Sequence, residues 1–303
     1  RFNGLELIRA LKSRNKTQPI VAAGPHPSLC ADNTLRNFTG LDFIIRGEAE
    51  HSTVQLVNAL ESGKQEFSKI PNLSWRAGKD VFHNQEMYMI PNLDSLPFPA
   101  YHLIDPEHYK DYVYVRNEKR PKSAVTILAS RGCPVGCIFC CTSHLWQKSV
   151  RFLSTQRLFE QIEFVIDKYK VESLHFYDDA FNHKRERVFS ICNEFIKRNI
   201  KVDWDCGLRA AENIDEEMLR SLKAAGCWSI NFGIESGDEY IRNKVIRKKI
   251  SNEKILELDN LCEKVGIVGT VNLMISFPEE TPEQAEKTFV LWKRLKSKAD
   301  INI

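Results

Sequence analysis

The chain has 303 residues, 43% of them hydrophobic and 27% charged, with a formal net charge of +3. That is enough for two cores, and it is the composition neither of a disordered chain nor of a membrane-spanning one. Acids and bases are interspersed, which gives no support for a nucleic-acid groove, and nine cysteines with nothing like a signal peptide argue for a reducing cytoplasm rather than a disulfide framework.

The chain opens at Arg1 and closes in an apolar segment, Ala299 to Ile303, that reads as a strand just begun; it is expected to be part of something longer. Leu5 to Lys12 has helical spacing. Pro19 to Gly24 reads as a short buried strand, followed by a turn from Gly24 to Ser28 in which His26 sits between two prolines. A second helical run precedes another buried strand, Leu41 to Arg46, which stops at Gly47-Glu48-Ala49-Glu50, and a helix from Ser52 to Leu60 follows. Helix alternating with short apolar strand predicts a parallel, doubly wound sheet. Phe67 to Met89 alternates partly about Gly78, as in a small hairpin. Pro91 to Ala100 is a Pro-rich connector, extended by composition. The expected division is a first domain at 1–90, a linker at 91–122 and a second domain at 123–303.

The second domain opens with an apolar run, Ala124 to Ala129, that reads as a buried strand and leads into Ser130 to Cys141, S-R-G-C-P-V-G-C-I-F-C-C. Cys133, Cys137 and Cys140 form a C-x-x-x-C-x-x-C array on a loop containing Gly and Pro. Thiolates are soft ligands suited to an iron-sulfur cluster or to zinc. Three cysteines on a cuboidal cluster leave one iron open to bind and activate a small molecule. A zinc site completed by His144 is the competing arrangement, and a disulfide cluster is the third. Cys141 is expected to be a bystander, because adjacent residues on one loop rarely both reach the same cluster.

Beyond the loop, strands and helices alternate. Helices are expected at Thr155 to Lys170, Lys184 to Arg198, Asp215 to Ala225 and Glu280 to Lys296, with a further helical region ending near Val265. Strands are expected at Ser173 to Tyr177, Val202 to Cys206, Trp228 to Ile234 and Val268 to Ser276. Asp215 and Thr281-Pro-Glu-Gln are N-terminal helix signals, and Gly226 and Gly266 sit where helices end. Five complete βα units and the start of a sixth predict a (βα) barrel or partial barrel, whose chemistry belongs at the C-terminal strand ends. Polar residues collect there: Tyr177-Asp178-Asp179, Gly207-Leu208-Arg209, Glu235-Ser236-Gly237 and Pro278-Glu279-Glu280-Thr281. Asp178 or Asp179 read alone could be a helix cap, and Arg209 a structural ion pair. A carboxylate such as Glu235, directly after a buried strand, needs a partner.

Trp146, Trp204, Trp228 and Trp292 read as barrel packing. Cys192, Cys206, Cys227 and Cys262 read as small buried hydrophobes. The basic run Arg242 to Lys249 reads as a solvated helix face, and His175 carries no assigned role.

The cysteine spacing, with Phe139 just before the last cysteine, resembles the radical S-adenosylmethionine (radical SAM) signature. The flanks Ser130-Arg131-Gly132, Pro134, Gly136 and Ile138 resemble its branch with a cobalamin-binding domain in front. Two N-terminal loops, Ala22-Ala23-Gly24-Pro25-His26-Pro27-Ser28 and Arg46-Gly47-Glu48-Ala49-Glu50, resemble the C-terminal half of that Rossmann-like domain, and Leu93-Asp94-Ser95-Leu96-Pro97-Phe98-Pro99-Ala100 resembles the linker between the two. The resemblance implies that Ala23, Gly24, Pro25, Gly47 and Glu48 line the cobalamin site. Asp178 or Asp179 would meet the SAM amine, and Arg209, Glu235 and Ser236 its carboxylate or ribose. Two departures stand out. The D-x-H-x-x-G cobalamin motif is absent, and Glu279 replaces the Gly of the family's P-G-E-T turn.

The chemistry so implied is reductive cleavage of SAM at a 4Fe-4S cluster to a 5'-deoxyadenosyl radical, with cobalamin-dependent methyl transfer to an unactivated carbon of a small-molecule substrate. Flavodoxin or ferredoxin would donate the electron in a low-oxygen cytoplasm. Cyclisation or rearrangement without methyl transfer, and a non-catalytic zinc or cofactor-binding module, are the alternatives.

Overall fold

The computed structural model describes residues 2–104 and 123–302. They form two compact units, one from the chain up to Pro91 together with Cys141–Ser149, the other from Asn92–Cys140 and from Val150 onward. No helix among the described residues is long and apolar enough to cross a membrane.

The first unit runs α1 (Phe2–Arg14), β1 (Val21–Ala23), α2 (Pro25–Leu29), α3 (Ala31–Asn37), β2 (Phe43–Ile45), α4 (Glu50–Glu61), β3 (Leu73–Ala77) and β4 (Asp80–His83), and adds the short α5 (Thr142–Leu145). Its sheet has the order β1-β2-β3-β4. β2 is buried on both faces: Ile44 packs with Ile20, Leu35 and Leu41, while Phe43 and Ile45 pack with Leu56, Ile70 and Leu73. That explains its unbroken apolar run. Three expectations change here. Only β1 and β2 are parallel, because the hairpin about Gly78 adds β3 and β4 antiparallel to the free edge of β2. β1 is the opposite edge strand, so Val21 is exposed rather than buried. The Gly24 to Ser28 segment is not an open turn but leads into α2, with Pro25 in its first turn, where a missing N–H costs nothing.

The second unit comprises β5 (Ala124–Ile127), β6 (Ser130–Arg131), β7 (Arg151–Phe152), α6 (Thr155–Tyr169), β8 (Ser173–Phe176), α7 (Arg185–Lys197), β9 (Asp203–Arg209), α8 (Glu216–Ala224), β10 (Cys227–Glu235), α9 (Asn252–Val265), β11 (Val268–Met274), α10 (Pro282–Arg294) and β12 (Lys298–Asn302). Six strands are parallel in the order β12-β11-β10-β9-β8-β5, sequence order throughout. Each crossover returns to the neighbouring position, which is the winding of a barrel left open.

Alternation along these strands separates two environments. Phe176, Trp204, Cys206, Leu208, Ile230 and Val271 face the helices in one apolar core. Trp204 stacks on Phe195 with centroids 5.4 Å apart and meets Phe176 edge-on at 5.3 Å. Cys192, Cys206, Cys227 and Cys262 are buried and unbridged, as small hydrophobes. Of the other tryptophans expected in barrel packing, Trp146 follows α5 within the first unit and Trp292 is 39% exposed on α10.

The Pro-rich connector is docked rather than free from Asn92 to Ile104. Arg157 donates to the Leu96 carbonyl at 2.8 Å and lies 3.8 Å over the Phe98 ring, and Gln161 donates to the Tyr101 hydroxyl at 2.6 Å. The remainder of the expected linker, 105–122, lies outside the described residues.

Helix ends follow the sequence signals. Asp215 accepts from the Met218 N–H at 3.0 Å, Thr281 and Gln284 form a reciprocal capping box, and Gly266 ends α9 with φ +76°. Gly226 is the most demanding of these positions. Its φ is +95°, and a Cβ there would stand 2.8 Å from the Val202 carbonyl oxygen. Gly226→Ala is expected to destabilise the second unit by about 2 kcal/mol or more, read as a lowered urea midpoint; an unchanged midpoint would contradict the placement of this turn.

Candidate active site

Because the strands are parallel, their C-terminal ends open on one edge, and a cavity of about 1160 Å³ lies within the second unit there. That exceeds the roughly 300–1,000 Å³ of ordinary small-molecule sites. Cys133, Cys137 and Cys140 all line it, together with Phe139, Asp178, Asp179, Arg209 and Glu235. Ser236 does not. It is fully buried behind the strand end, where its hydroxyl accepts from the Asp238 N–H at 3.1 Å.

The cysteine loop is seated by the two acids after β8. Asp178 is buried and accepts from the Ala129 N–H at 3.1 Å and from the Ser130 hydroxyl. Asp179 accepts from the Gly132 N–H at 3.0 Å. Burial pushes the Asp178 carboxyl up to about 6 against the pull of those donors. Gly132 takes φ +100°, a conformation glycine adopts without strain, and the Cys140 N–H bonds back to the Cys137 carbonyl at 3.1 Å. Burial raises the Cys133 thiol, the Val135 N–H and the Arg209 guanidinium pull it down, and Asp179 pushes it up. Arg209 is fixed in turn by Asn182, which exchanges two bonds of 2.9 Å with its backbone, and by the Lys248 carbonyl at 2.6 Å.

Among the described residues, no three His, Cys, Asp or Glu side chains converge tightly enough to hold one metal ion. A cluster takes each thiolate at a different iron. Three thiols lining one cavity are a donor set that fits it.

The basic run Arg242 to Lys249 departs from the expected solvated face at two positions, Arg242 and Lys248, while Lys244, Arg247 and Lys249 are exposed as expected. Arg242 is fully buried, donating to the Ile250 and Ser236 carbonyls at 3.0 and 2.7 Å. Lys248 is 7% exposed, lines the cavity and pairs with Glu235 at 2.8 Å. A one-residue shift in the β10–β11 pairing and a φ of +72° aim Glu235 at it, and Gly233 leaves the room, since a Cβ there would fall 2.6 Å from the Glu235 carboxylate. Periodicity gives no hint of this; the glycine two residues before Glu235 was the available signal.

His175, left without a role by sequence, lines the same cavity and bonds through Nδ1 to Asp205. That hydrogen bond, against burial, raises its pKa. Trp228, expected to pack, also lines the cavity.

In the first unit the two expected cofactor loops meet at Ser28. Its hydroxyl donates to the Gly24 carbonyl at 2.6 Å and accepts from the Gly47 N–H at 2.9 Å. Gly24 and Gly47 take φ +108° and +68°. Ala23 is the exposed end of β1 and Pro25 the start of α2. Glu48 is buried, and its carboxylate accepts from the Ile90 N–H at 2.6 Å, anchoring the segment after the hairpin.

Lys248→Met is expected to destabilise the chain by about 3–5 kcal/mol, because it strands the buried Glu235 carboxylate. In urea denaturation the double variant Glu235→Gln/Lys248→Met should recover most of the loss; equal losses in single and double variants would show that the pair is not the cause.

The family profile described as the radical SAM superfamily matches residues 127–291. The chain is similar to an uncharacterized methyltransferase of Pyrococcus horikoshii, 28% identical over 97% of this chain and 62% of that protein. It is also similar to an anaerobic magnesium-protoporphyrin IX monomethyl ester cyclase of Rubrivivax gelatinosus, 25% identical over 93% of this chain and 50% of that protein. The chain thus spans about half to three-fifths of these relatives. Among solved structures, the radical SAM methyltransferase TsrM from Kitasatospora setae, with cobalamin and a 4Fe-4S cluster bound, superposes with a TM-score of 0.77 at 19% identity, over 98% of this chain and 57% of that one. The cobalamin-dependent radical enzyme OxsB, with aqua-cobalamin and SAM bound, gives 0.75 at 19% identity, over 99% and 43%. The Rossmann-like region followed by an open parallel barrel is therefore a shared fold, and since the family profile spans more than half of the sequence, including all three cysteines of the loop, the chain belongs to the radical SAM superfamily.

Proposed function

We propose that the chain is part of a cobalamin-linked radical SAM enzyme that transfers a methyl group to an unactivated carbon of a small molecule. The observation that carries this is the trio Cys133, Cys137 and Cys140 on the wall of one cavity that also holds Asp179, Arg209 and Glu235. A 4Fe-4S cluster held by Cys133, Cys137 and Cys140 would supply the electron for reductive cleavage of SAM to methionine and a 5'-deoxyadenosyl radical, and a corrinoid at the first-unit loops would supply the methyl group.

The residues divide that work. Arg209 offers its guanidinium to the methionyl carboxylate, and Asp179 an acceptor to the amine. Glu235, held by Lys248, offers its carboxylate to the ribose diol. Phe139, 41% exposed and edge-on to Phe277 at 6.1 Å, supplies an apolar wall that keeps water from the reacting carbon. The paired loops at Gly24 and Gly47, with Ala23, Pro25 and the anchor Glu48, offer close backbone approach to a corrin or its nucleotide tail. An external donor such as flavodoxin or ferredoxin supplies the electron, and a reducing cytoplasm suits the cysteines, all nine of them free. The relatives carry names of both methyl transfer and ring closure, so labelled SAM is the means of telling the two outcomes apart: methyl label in the product marks transfer.

After anaerobic reconstitution the chain should hold about four irons and release 5'-deoxyadenosine with dithionite. Cys133→Ala, Cys137→Ala and Cys140→Ala should each abolish that release, and Cys141→Ala should leave it measurable. Stoichiometric zinc without iron, or cluster loss in the Cys141 variant alone, would overturn the assignment.

A further inference from the structure

A glycine inside a β-strand weakens it, and where one is found it marks a bulge, a close approach of another backbone, or a surface on which a ligand lies. Two strand glycines of the second unit have their reason within the fold. A Cβ at Gly269 would collide with the Ser297 hydroxyl, and one at Gly233 with the Glu235 carboxylate and the Lys248 ammonium, at 2.6 and 2.9 Å. Gly207, in the middle of β9, has no such reason. Its φ is not positive. Its pairing with β10 is regular, with Cys206, Gly207 and Leu208 opposite Ile230, Asn231 and Phe232, so it makes no bulge. No backbone crowds it either: beyond its chain neighbours, the atom nearest to a Cβ built there is the Asp178 carbonyl oxygen at 3.9 Å, an ordinary contact. The fold would accept a side chain at this position. What the missing one leaves is room in the cavity, which Gly207 lines between Asp205 and Arg209, about 7 Å from each at a strand rise of roughly 3.3 Å per residue.

The polar neighbours of this gap are committed elsewhere. Asp205 bonds to His175, and Asp178 takes the Ala129 amide and the Ser130 hydroxyl. Asn231, opposite Gly207, donates to Thr270 Oγ1 at 3.0 Å and to Asn272 Oδ1 at 3.3 Å, and its oxygen accepts from Asn272 at 2.8 Å. The Gly207 carbonyl accepts from the Phe181 N–H at 2.9 Å. A charged group set against the gap would lose its hydration without gaining a partner, whereas a carbon surface has no such cost. Pro99, Ile104, Val125 and Phe139 line the same cavity and offer that surface an apolar wall.

We propose that Gly207 is a specificity-determining position, where the space left by its missing side chain receives an uncharged, carbon-rich part of the substrate. Below Arg209, which faces the SAM carboxylate in the function proposed above, the gap admits a body that a branched side chain would shut out. That the occupant is the substrate rests on that function; that the gap takes a neutral carbon body does not.

The test uses the cluster-reconstituted chain in equilibrium dialysis, with labelled 2-naphthol as a flat, uncharged probe and labelled SAM beside it. The wild-type chain should bind 2-naphthol saturably. Gly207→Val should weaken that binding about tenfold or more, and Gly207→Ala by a smaller factor, while SAM binding changes less than threefold in both. The urea midpoint of the Gly207→Ala chain should not fall, since the fold has room for the methyl group. A lowered midpoint would show that the fold itself needs the glycine, and loss of SAM binding in Gly207→Val would give the gap to the cofactor. Either result overturns the proposal, as does 2-naphthol binding that is absent or indifferent to the valine. Binding that the valine blocks, in a chain whose wild type releases no 5'-deoxyadenosine, would instead overturn the radical-enzyme reading and leave the gap assigned.

Discussion

The candidate site depends on two neighbouring carboxylates that grip a loop with little regular structure of its own. The segment from Gly132 to Cys140 has no helix and no strand. Its entry is held because Asp178 takes the Ala129 amide and the Ser130 hydroxyl, and Asp179 the Gly132 amide. The dependence is mutual. Asp178 is buried enough for its pKa to rise to about 6, so without those donors its charge would be untenable. Without the acids, the loop amides would have no partner on the barrel. The β6–β7 pair closes the far side of the loop, matching Ser130 with Phe152 and Arg131 with Arg151. Three thiols are thereby held on one wall before any ligand arrives, a form of preorganisation that spares binding the entropy of ordering the loop.

The second constraint is the parallel sheet. Its pleat sends Trp204, Cys206 and Leu208 to the helices and Asp205, Gly207 and Arg209 to the cavity from a single strand. The apolar side supplies the stability, which frees the inner side from packing duty. Small residues there keep the space open, and polar residues there are affordable only where they are paired, as His175 is with Asp205 and Asn231 with Asn272.

Much of this was legible in the sequence because it rests on local signals. Cysteine spacing, the strand–helix alternation and the caps at Asp215, Thr281 and Gly266 are all set within a few residues, and the structure carries each of them. What was not legible depends on partners distant in the chain. The antiparallel hairpin on β2 is decided by which edge is free, the burial of Ala124–Ala129 by the fact that one face of β5 meets a cavity instead of a core, and the role of Glu48 by an amide forty-two residues away. His175 looked like any strand residue until Asp205 stood beside it.

The basic run Arg242–Lys249 shows why composition misleads at such an edge. Its charges suggest solvent, yet after β10 the chain winds through a wide π-helical turn from Ile241 to Val245 that folds Arg242 inward. There its guanidinium collects the carbonyls that the irregular segment leaves open, at Ser236 and Ile250. Lys248 then reaches Glu235. Three non-glycine residues at the ends of β10 and β11, Glu235, Ser276 and Glu279, take φ near +70°, a conformation that costs about 1–2 kcal/mol apiece. Each has a compensation nearby: Lys248 for Glu235, and the Glu280 carboxylate, which accepts from the Ser276 N–H at 2.6 Å and the Phe277 N–H at 3.2 Å, for the turn that carries the other two. So Glu279 adopts the left-handed turn where the family pattern has glycine, and the turn survives the substitution because its hydrogen bonds come from the next residue. Strain of this kind persists where surrounding contacts over-determine the backbone, as they do at these three positions after β10 and β11.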